Sequence, residues 1–195
     1  AGGAVQGVLP LVYLKSVLFG CFLVSLPYLN YGGIVANSAE AAAMLLLEAG
    51  RCARSLGARH VELRHVAGLH LDWPKKEHKV SMRLDLPQRY EDLMKSFSPK
   101  LRSQVRRGEK EGMTVEVGGL NLLDEFYGVF ARNMRDLGTP VYGKQFFREI
   151  LHVFPKDAKI CTVKYNGEAV AGGFVYGYRV TLEIPWVYSV KRYQR

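Results

Sequence analysis

The residues with the clearest chemical character lie between Lys95 and Lys110, where the sequence holds six basic residues and one acid. On a helix with 100° per residue, most of these cations and one serine fall within an arc of about 160°. The members of this arc, which we call the basic face, are Lys100, Arg102, Ser103, Arg106, Arg107 and Lys110. Leu101 and Val105 lie on the opposite side, which we expect to dock against the rest of the protein.

Such a dense group of cations suits a polyanion, and three kinds fit: tRNA phosphates, a lipid pyrophosphate or an anionic membrane surface. A solvated helix face explains the same pattern, because runs of charge are usually of that kind. No aromatic residue interleaves the cations, which counts against recognition of nucleic acid by base stacking. Both interpretations stay open.

The positive charge of the protein is local. The chain has 195 residues and a formal net charge of +9, of which residues 95–110 supply +5. Lys191, Arg192 and Arg195 follow the last acid and supply +3, and Lys15 is the single charged residue among the first 39. This distribution excludes a uniformly basic, histone-like protein. With 48% hydrophobic and 23% charged residues, the chain has the composition of a folded globular protein.

The stretch from Ser16 to Ala39 carries no charge and is long enough to raise the question of a transmembrane helix. Prolines and glycines interrupt it, and the pieces between them are strand-length and rich in β-forming residues. These pieces are Val8 to Leu14, Val17 to Leu26 and Gly32 to Ala36. We therefore expect interior strands, and neither a spanning helix nor a signal peptide.

Neither a disulfide framework nor a metal site is predicted. The three cysteines are odd in number and form no CxxC pair, which favours a reducing compartment. We expect a cytoplasmic protein, with the inner face of the membrane as an alternative location. His60, His65 and His70 recur every five residues, a spacing that brings ligands together on neither a helix nor a strand.

The hydrophobic pattern predicts two blocks of elements, residues 1–87 and 88–195. The first reads β-β-α-β-β, and its last strand is expected over Val80 to Leu86 because apolar residues alternate there. The second block, after the basic helix, reads β-α-α-β-β-β. Its last three strands are expected over Lys159 to Tyr165, Ala169 to Tyr178 and Val180 to Val190, with Asn166-Gly167 as a hairpin turn.

Five segments carry a resemblance to a known family. They are SLPYLNYGGIV (Ser25 to Val35), GARHVELRHV (Gly57 to Val66), KLRSQVRRGEKEGMTVEV (Lys100 to Val117), FYGVFARNMRDLGTPVY (Phe126 to Tyr142) and NGEAVAGGFVYGYRVTLEIPWVYSVKRY (Asn166 to Tyr193). The chain resembles the FemA/FemB/FemX peptidoglycan-bridge aminoacyltransferases, in which two GNAT-like domains stand in tandem with a basic helix between them. In detail it is similar to the FemAB-related proteins of exopolysaccharide and PEP-CTERM protein-sorting clusters, whose domain is labelled BioF2-like.

The resemblance implies an α+β (mixed α/β) fold: a GNAT-like, mostly antiparallel sheet flanked by helices. Residues 1–87 would be the C-terminal half of a first GNAT-like domain, and residues 88–195 the N-terminal half of a second. The two halves could instead pack together as one composite domain. On this view the chain is an internal fragment, incomplete and inactive by itself.

The resemblance also implies roles for single residues. Glu183 is expected to be the general base, on a strand that Pro185 bulges because proline cannot donate a ladder hydrogen bond. Trp186 and Tyr188 would line the acyl channel, with core packing as the alternative. The expected border of the acceptor pocket, or simply a capped helix end, consists of Arg132, Asn133, Thr139 and Tyr142. The anion-binding residues would be Lys100, Arg102, Arg106, Arg107, Lys110, Lys191 and Arg192.

The function implied is transfer of an acyl or aminoacyl group to an amine of a cell-envelope precursor. The donor would be acyl-CoA or aminoacyl-tRNA, and no cofactor would be tightly bound. Expected partners are an anionic ligand (tRNA, the CoA phosphates or a lipid-linked precursor), the membrane surface, and a second copy joined through exposed sheet edges. The alternative is a non-catalytic GNAT-like module that binds an anionic polymer or tRNA.

Overall fold

The computed structural model describes residues 3–66, 73–76 and 80–193, and the chain divides into two compact units, Ala1–Val80 and Ser81–Arg195. In the first unit, β1 (Gly7–Val8) and β4 (Val35–Ala36) pair as a short antiparallel ladder. A second sheet has three strands, because β2 and β3 form an antiparallel hairpin and β5 pairs parallel with β3. These strands are β2 (Val12–Ser16), β3 (Gly20–Val24) and β5 (Val61–Glu62).

One long helix, α1 (Ala39–Ser55), precedes β5. It begins where the Ser38 hydroxyl accepts a hydrogen bond from the Ala41 N–H at 3.2 Å, which satisfies one of the free donors of the first turn. It ends before Gly57, whose φ of +64° suits glycine. The buried apolar residues of this unit are Leu23, Val24, Leu46, Ala49 and Ala53.

The charge-free stretch forms β3, β4 and turns, as expected, but its strands are shorter than predicted. Val17, Leu18 and Phe19 form the turn between β2 and β3 instead of the start of a strand. Within the described residues, the helices are all too short or too polar to cross a membrane.

The strand predicted over Val80 to Leu86 is wrong. These residues form no strand, and Val80 and Met82 are 85% and 92% exposed. Alternation determines which side chains share a face, but a strand is stable only where another strand accepts its hydrogen bonds. No strand in the described part of the chain pairs with this segment.

After the basic helix, the second unit has the predicted β-α-α-β-β-β order, and a short helix that was not predicted precedes the basic helix. Its sheet is antiparallel throughout and has the order β6-β7-β8-β9. The helices are α2 (Tyr90–Ser96), α3 (Pro99–Lys110), α4 (Leu123–Asp136) and α5 (Lys144–Val153). The strands are β6 (Thr114–Gly118), β7 (Ala158–Tyr165), β8 (Glu168–Tyr178) and β9 (Thr181–Ser189).

An aromatic core joins α4 and α5 to one face of the sheet. Phe126, Phe130, Phe147 and Phe174 are fully buried. The Phe147 ring lies 5.2 Å from that of Phe126 and 5.5 Å from that of Phe174, which are favourable spacings for aromatic pairs. Gly172 allows this close approach, because a Cβ there would lie 3.1 Å from the Phe126 ring.

One predicted turn and one predicted bulge of the sheet are confirmed. Asn166 and Gly167, between β7 and β8, have φ values of +51° and +78°, as a primed two-residue hairpin turn requires. The β8–β9 register slips by one residue, since Phe174 pairs with Trp186 but Tyr176 pairs with Glu183. Ile184 and Pro185 therefore face a single residue of β8, and this is the bulge expected from Pro185.

Candidate active site and basic surface

The bulge positions Glu183 on the helix-covered side of the sheet. Because Glu183 pairs with Tyr176 and Trp186 pairs with Phe174, all four side chains belong to one face. The Tyr176 hydroxyl donates a hydrogen bond to Glu183 Oε2 at 2.7 Å, and both residues are half-buried. The carboxylate is thus held by a defined donor, and partial burial leaves it accessible to a small ligand.

Trp186 lies in the core rather than along an open channel. It is 3% exposed, and its ring is 5.2 Å from Phe147 and 5.6 Å from Phe146. Tyr142 packs at 6.4 Å from the same ring, and its backbone carbonyl accepts a hydrogen bond from the Tyr127 hydroxyl at 2.9 Å. Core packing, the alternative considered from the sequence, describes Trp186 best.

Tyr188 lies further along β9, with its ring 5.0 Å from that of Phe130. Burial, and then the neighbouring Tyr142 phenol, raises the pKa of Tyr188. Its hydroxyl therefore stays protonated at neutral pH and can donate a hydrogen bond.

A second polar group forms at the end of β9. Arg192 Nη2 lies 2.6 Å from Glu168 Oε2, and Arg132 Nη1 lies 3.7 Å from Glu168 Oε1. The amide of Asn133 donates to the Ser189 carbonyl at 3.2 Å. The structure thus brings Arg132, Asn133 and Arg192 together, and Glu168 offsets part of the charge of the two arginines.

The predicted base and this second group lie at opposite ends of β9. Their partners on β8, Tyr176 and Ala171, are five residues apart, or about 16 Å along the strand. Thr139 joins neither group: its N–H donates to the Met134 carbonyl at 2.9 Å and closes α4, and the residue is exposed. The predicted pocket residues are therefore divided between two places.

The basic face forms a helix as predicted, but two of its arginines are engaged within the protein. Arg102 Nη1 donates to the Phe97 carbonyl at 2.9 Å, at the end of α2. Arg107 Nε pairs with Glu111 Oε1 at 2.6 Å. Lys100, Arg106 and Lys110 are exposed and form no ion pair with any described residue. These three residues, which we call the open cations, are the part of the basic face that is free for an anion.

The expected docking side of this helix is not buried. Leu101 and Val105 are 40% and 38% exposed. The sequence pattern indicates which side of a helix is more apolar, but burial of that side also requires another element to pack against it.

A metal site is not formed in the part of the chain that the structure describes, where no group of three or more His, Cys, Asp or Glu side chains could hold an ion. His60 stacks on Phe22 with 5.2 Å between ring centroids. His65 Nε2 accepts a hydrogen bond from the Ile34 N–H at 2.9 Å. His70 lies outside the described residues.

The family model of the FemAB family matches residues 55–170, which is more than half of the chain. The chain belongs to the FemAB family. The match includes the basic face of this FemAB chain and its α4–α5 segment, whereas Glu183, Pro185 and Arg192 lie beyond it. No curated protein matches the sequence.

A solved structure similar to this FemAB chain is the C-terminal domain of a putative lysylphosphatidylglycerol synthetase from Agrobacterium fabrum. The two share 13% sequence identity with a TM-score of 0.53, over 97% of this chain and 59% of that one. The likeness shows the fold, which is the GNAT-like mixed α+β fold expected from the sequence. This chain therefore spans somewhat more than half the length of the solved domain.

Two residues of these candidate sites, Tyr176 and Glu168, were not predicted from the sequence. The pairing of Tyr176 with Glu183 could have been predicted from the sequence, because a two-residue turn at Arg179 and Val180 sets the register of β8 and β9. The role of Glu168 could not have been predicted, because its contact with Arg192 joins residues that are 24 positions apart and depends on the fold.

Proposed function

We propose that this chain is part of an N-acyltransferase of the aminoacyltransferase type, acting on an amine of a cell-envelope precursor such as peptidoglycan or exopolysaccharide. FemAB membership and the GNAT-like fold support this proposal. The observation that carries it is the hydrogen-bonded pair of Tyr176 and Glu183 beside the β9 bulge. A half-buried carboxylate held in one orientation is a suitable acceptor for the proton of an amine.

The reaction would proceed in a ternary complex without a covalent enzyme intermediate. Glu183 takes a proton from the acceptor ammonium, and the freed nitrogen attacks the donor carbonyl to form the new C–N bond. The C–O bond to the tRNA ribose, or the C–S bond to CoA, then breaks. Protonated Glu183 gives its proton to the leaving oxygen or sulfur. It then takes the second proton, which the nitrogen loses as it becomes a neutral amide, and releases it to solvent, so that charge and atoms balance. The Tyr176 hydroxyl keeps the carboxylate in place for these proton transfers.

Both candidate donors are phosphate-rich, and two groups of cations suit them. The open cations Lys100, Arg106 and Lys110 would contact a polyanion such as tRNA, which is long enough to use several exposed charges at once. Lys191 and Arg192 follow β9 directly and would contact a donor phosphate about 16 Å along the strand from Glu183. Arg132 shares the Glu168 carboxylate with Arg192, and Tyr188 lies on the helix-covered face of the sheet. Both would supply further hydrogen-bond donors to the ligand.

The donor can be identified by testing the full-length protein with labelled aminoacyl-tRNA and with labelled acyl-CoA. The acceptors offered are a lysine-containing peptidoglycan precursor and an amino-sugar oligosaccharide. We expect label to move to an acceptor amine from one donor. Label that stays on both donors with both acceptors, under conditions where the protein is folded, contradicts a transferase function.

A second function is favoured by the open cations: a non-catalytic GNAT-like module that binds an anionic polymer or tRNA. In this case, binding weakens steeply with salt while no donor is consumed. Turnover with either donor would rule it out.

A further inference from the structure

The turn between β2 and β3 exposes three large apolar side chains in a row. Val17, Leu18 and Phe19 are 104%, 86% and 72% exposed. Single exposed apolar residues are common on protein surfaces, but contiguous ones mark contact sites. We call these three residues the apolar tip.

The apolar tip is held in a defined turn. Ser16 pairs with Gly20 across its base, and the Phe19 N–H donates to Ser16 Oγ at 3.3 Å. Gly20, the first residue of β3, has a φ of +86°, a backbone conformation that glycine adopts without strain. The Arg59 side chain lies against Gly20, where an added Cβ would be 3.0 Å from Arg59 Nε.

Two cations flank the tip. Lys15 precedes it by two residues on β2, and the Arg59 guanidinium lies at its base. Neither forms an ion pair with a described residue, and the acids that the structure describes in this unit lie or pair elsewhere. Glu48 pairs with Arg51, Glu62 pairs with Arg64, and Glu40 lies in the first turn of α1.

We propose that this hairpin is a membrane-contact element, which inserts the apolar tip into the interface of an anionic bilayer while Lys15 and Arg59 contact lipid phosphates. A lipid bilayer can surround a convex apolar tip at the boundary between headgroups and acyl chains, whereas a protein partner would need a matching pocket. The tip extends about 7 Å beyond Lys15, which agrees with the roughly 5–10 Å depth of interfacial segments. Basic side chains at its base then lie at the level of the headgroups.

The proposal is independent of the catalytic function, and vesicle binding by the full chain tests it. Wild type and the Leu18→Ser/Phe19→Ser variant are sedimented with phosphatidylcholine vesicles, with or without phosphatidylglycerol. We expect wild type to prefer the phosphatidylglycerol vesicles and the variant to bind them about tenfold more weakly. The matched control is Val180→Ser, which removes an apolar residue that is 100% exposed at the turn before β9 and should leave binding unchanged.

The basic face must be separated from the tip in this experiment. The same tip substitutions are therefore repeated with Lys100→Ala/Arg106→Ala/Lys110→Ala, and a tip-dependent loss should remain. Emission of Leu18→Trp, compared with wild type, should shift to the blue on phosphatidylglycerol vesicles and be quenched by lipids brominated on their acyl chains. Unchanged vesicle binding of the tip variant overturns the proposal. So does a change from dimer to monomer in sedimentation velocity without loss of vesicle binding, which would assign the tip to a second copy of the chain.

Discussion

Tyr176 and Glu183 face each other across β8 and β9, and the tyrosine hydroxyl donates a 2.7 Å hydrogen bond to the glutamate carboxylate. The pair lies immediately before the bulge at Pro185, where the ladder between the two strands is interrupted. A carboxylate fixed by a neutral donor next to a gap in the sheet can accept a proton without losing its orientation.

Removing the Tyr176 hydroxyl should slow acyl transfer without unfolding the protein. In Tyr176→Phe the carboxylate loses one donor, and we expect kcat to fall about tenfold with little change in KM for the donor. Steady-state kinetics and the urea unfolding midpoint measure the two effects. If kcat stays at the wild-type value, Tyr176 does not position Glu183.

Neutralising Glu168 should strengthen anion binding at the end of β9. In Glu168→Gln, Arg192 and Arg132 lose their common carboxylate partner, which competes with a phosphate for the two guanidinium groups. Since the pairs are partly exposed, we expect inorganic pyrophosphate to bind about fivefold more tightly. Titration calorimetry measures this, with Glu149→Gln as a control that removes an equal charge from α5. Equal affinities of both variants would argue that these arginines are structural.

Much of the second unit could be predicted because its signals are local. The Asn166-Gly167 turn and the bulge at Pro185 each depend on residues close together in sequence. Contacts between different elements could not be predicted from the sequence. Arg102 looked like an anion-binding residue, yet its guanidinium binds the carbonyl of Phe97 at the end of the preceding helix.

The open cations should account for the salt dependence of binding to tRNA. Replacing Lys100, Arg106 and Lys110 with alanine removes three phosphate contacts, so the slope of log K against log salt should become shallower by about 2. Arg107→Ala serves as the control and should change the slope less, because Glu111 already pairs with that guanidinium. Filter binding at several salt concentrations measures both slopes. Parallel lines for wild type and the triple variant would show that the basic face is solvated and binds no tRNA.

The first unit should lose stability in weak acid through His65. Its neutral Nε2 accepts the Ile34 N–H, and burial lowers the pKa of His65 below its ordinary value. The unfolded chain therefore takes up the proton first, so this stability is present above about pH 6.5 and is lost as the pH falls. Urea unfolding should show a loss of about 1 kcal/mol in wild type that is absent in His65→Leu and kept in the control His152→Asn. A wild-type loss that persists in His65→Leu would point to another group.

The candidate site shows the same division between local and distant information. Glu183 and Pro185 could be found because a bulge and an acid on one strand are local features. The spread of the predicted pocket residues over both ends of β9 could not, because Arg132 and Asn133 are placed by the way α4 crosses the sheet. Trp186 likewise became a core residue because Phe146 and Phe147 of α5 cover it.

The most direct test of the catalytic account is single-turnover transfer by the full-length protein with Glu183→Gln. Glutamine keeps the shape and can still accept the Tyr176 hydrogen bond, but it cannot take a proton from the amine. The matched control is Glu149→Gln, which removes a carboxylate from the surface of α5. We predict that the rate of amide formation falls by about 100-fold or more in Glu183→Gln and stays at the wild-type level in the control. A Glu183→Gln rate within a factor of about two of wild type would contradict the assignment of Glu183 as the general base.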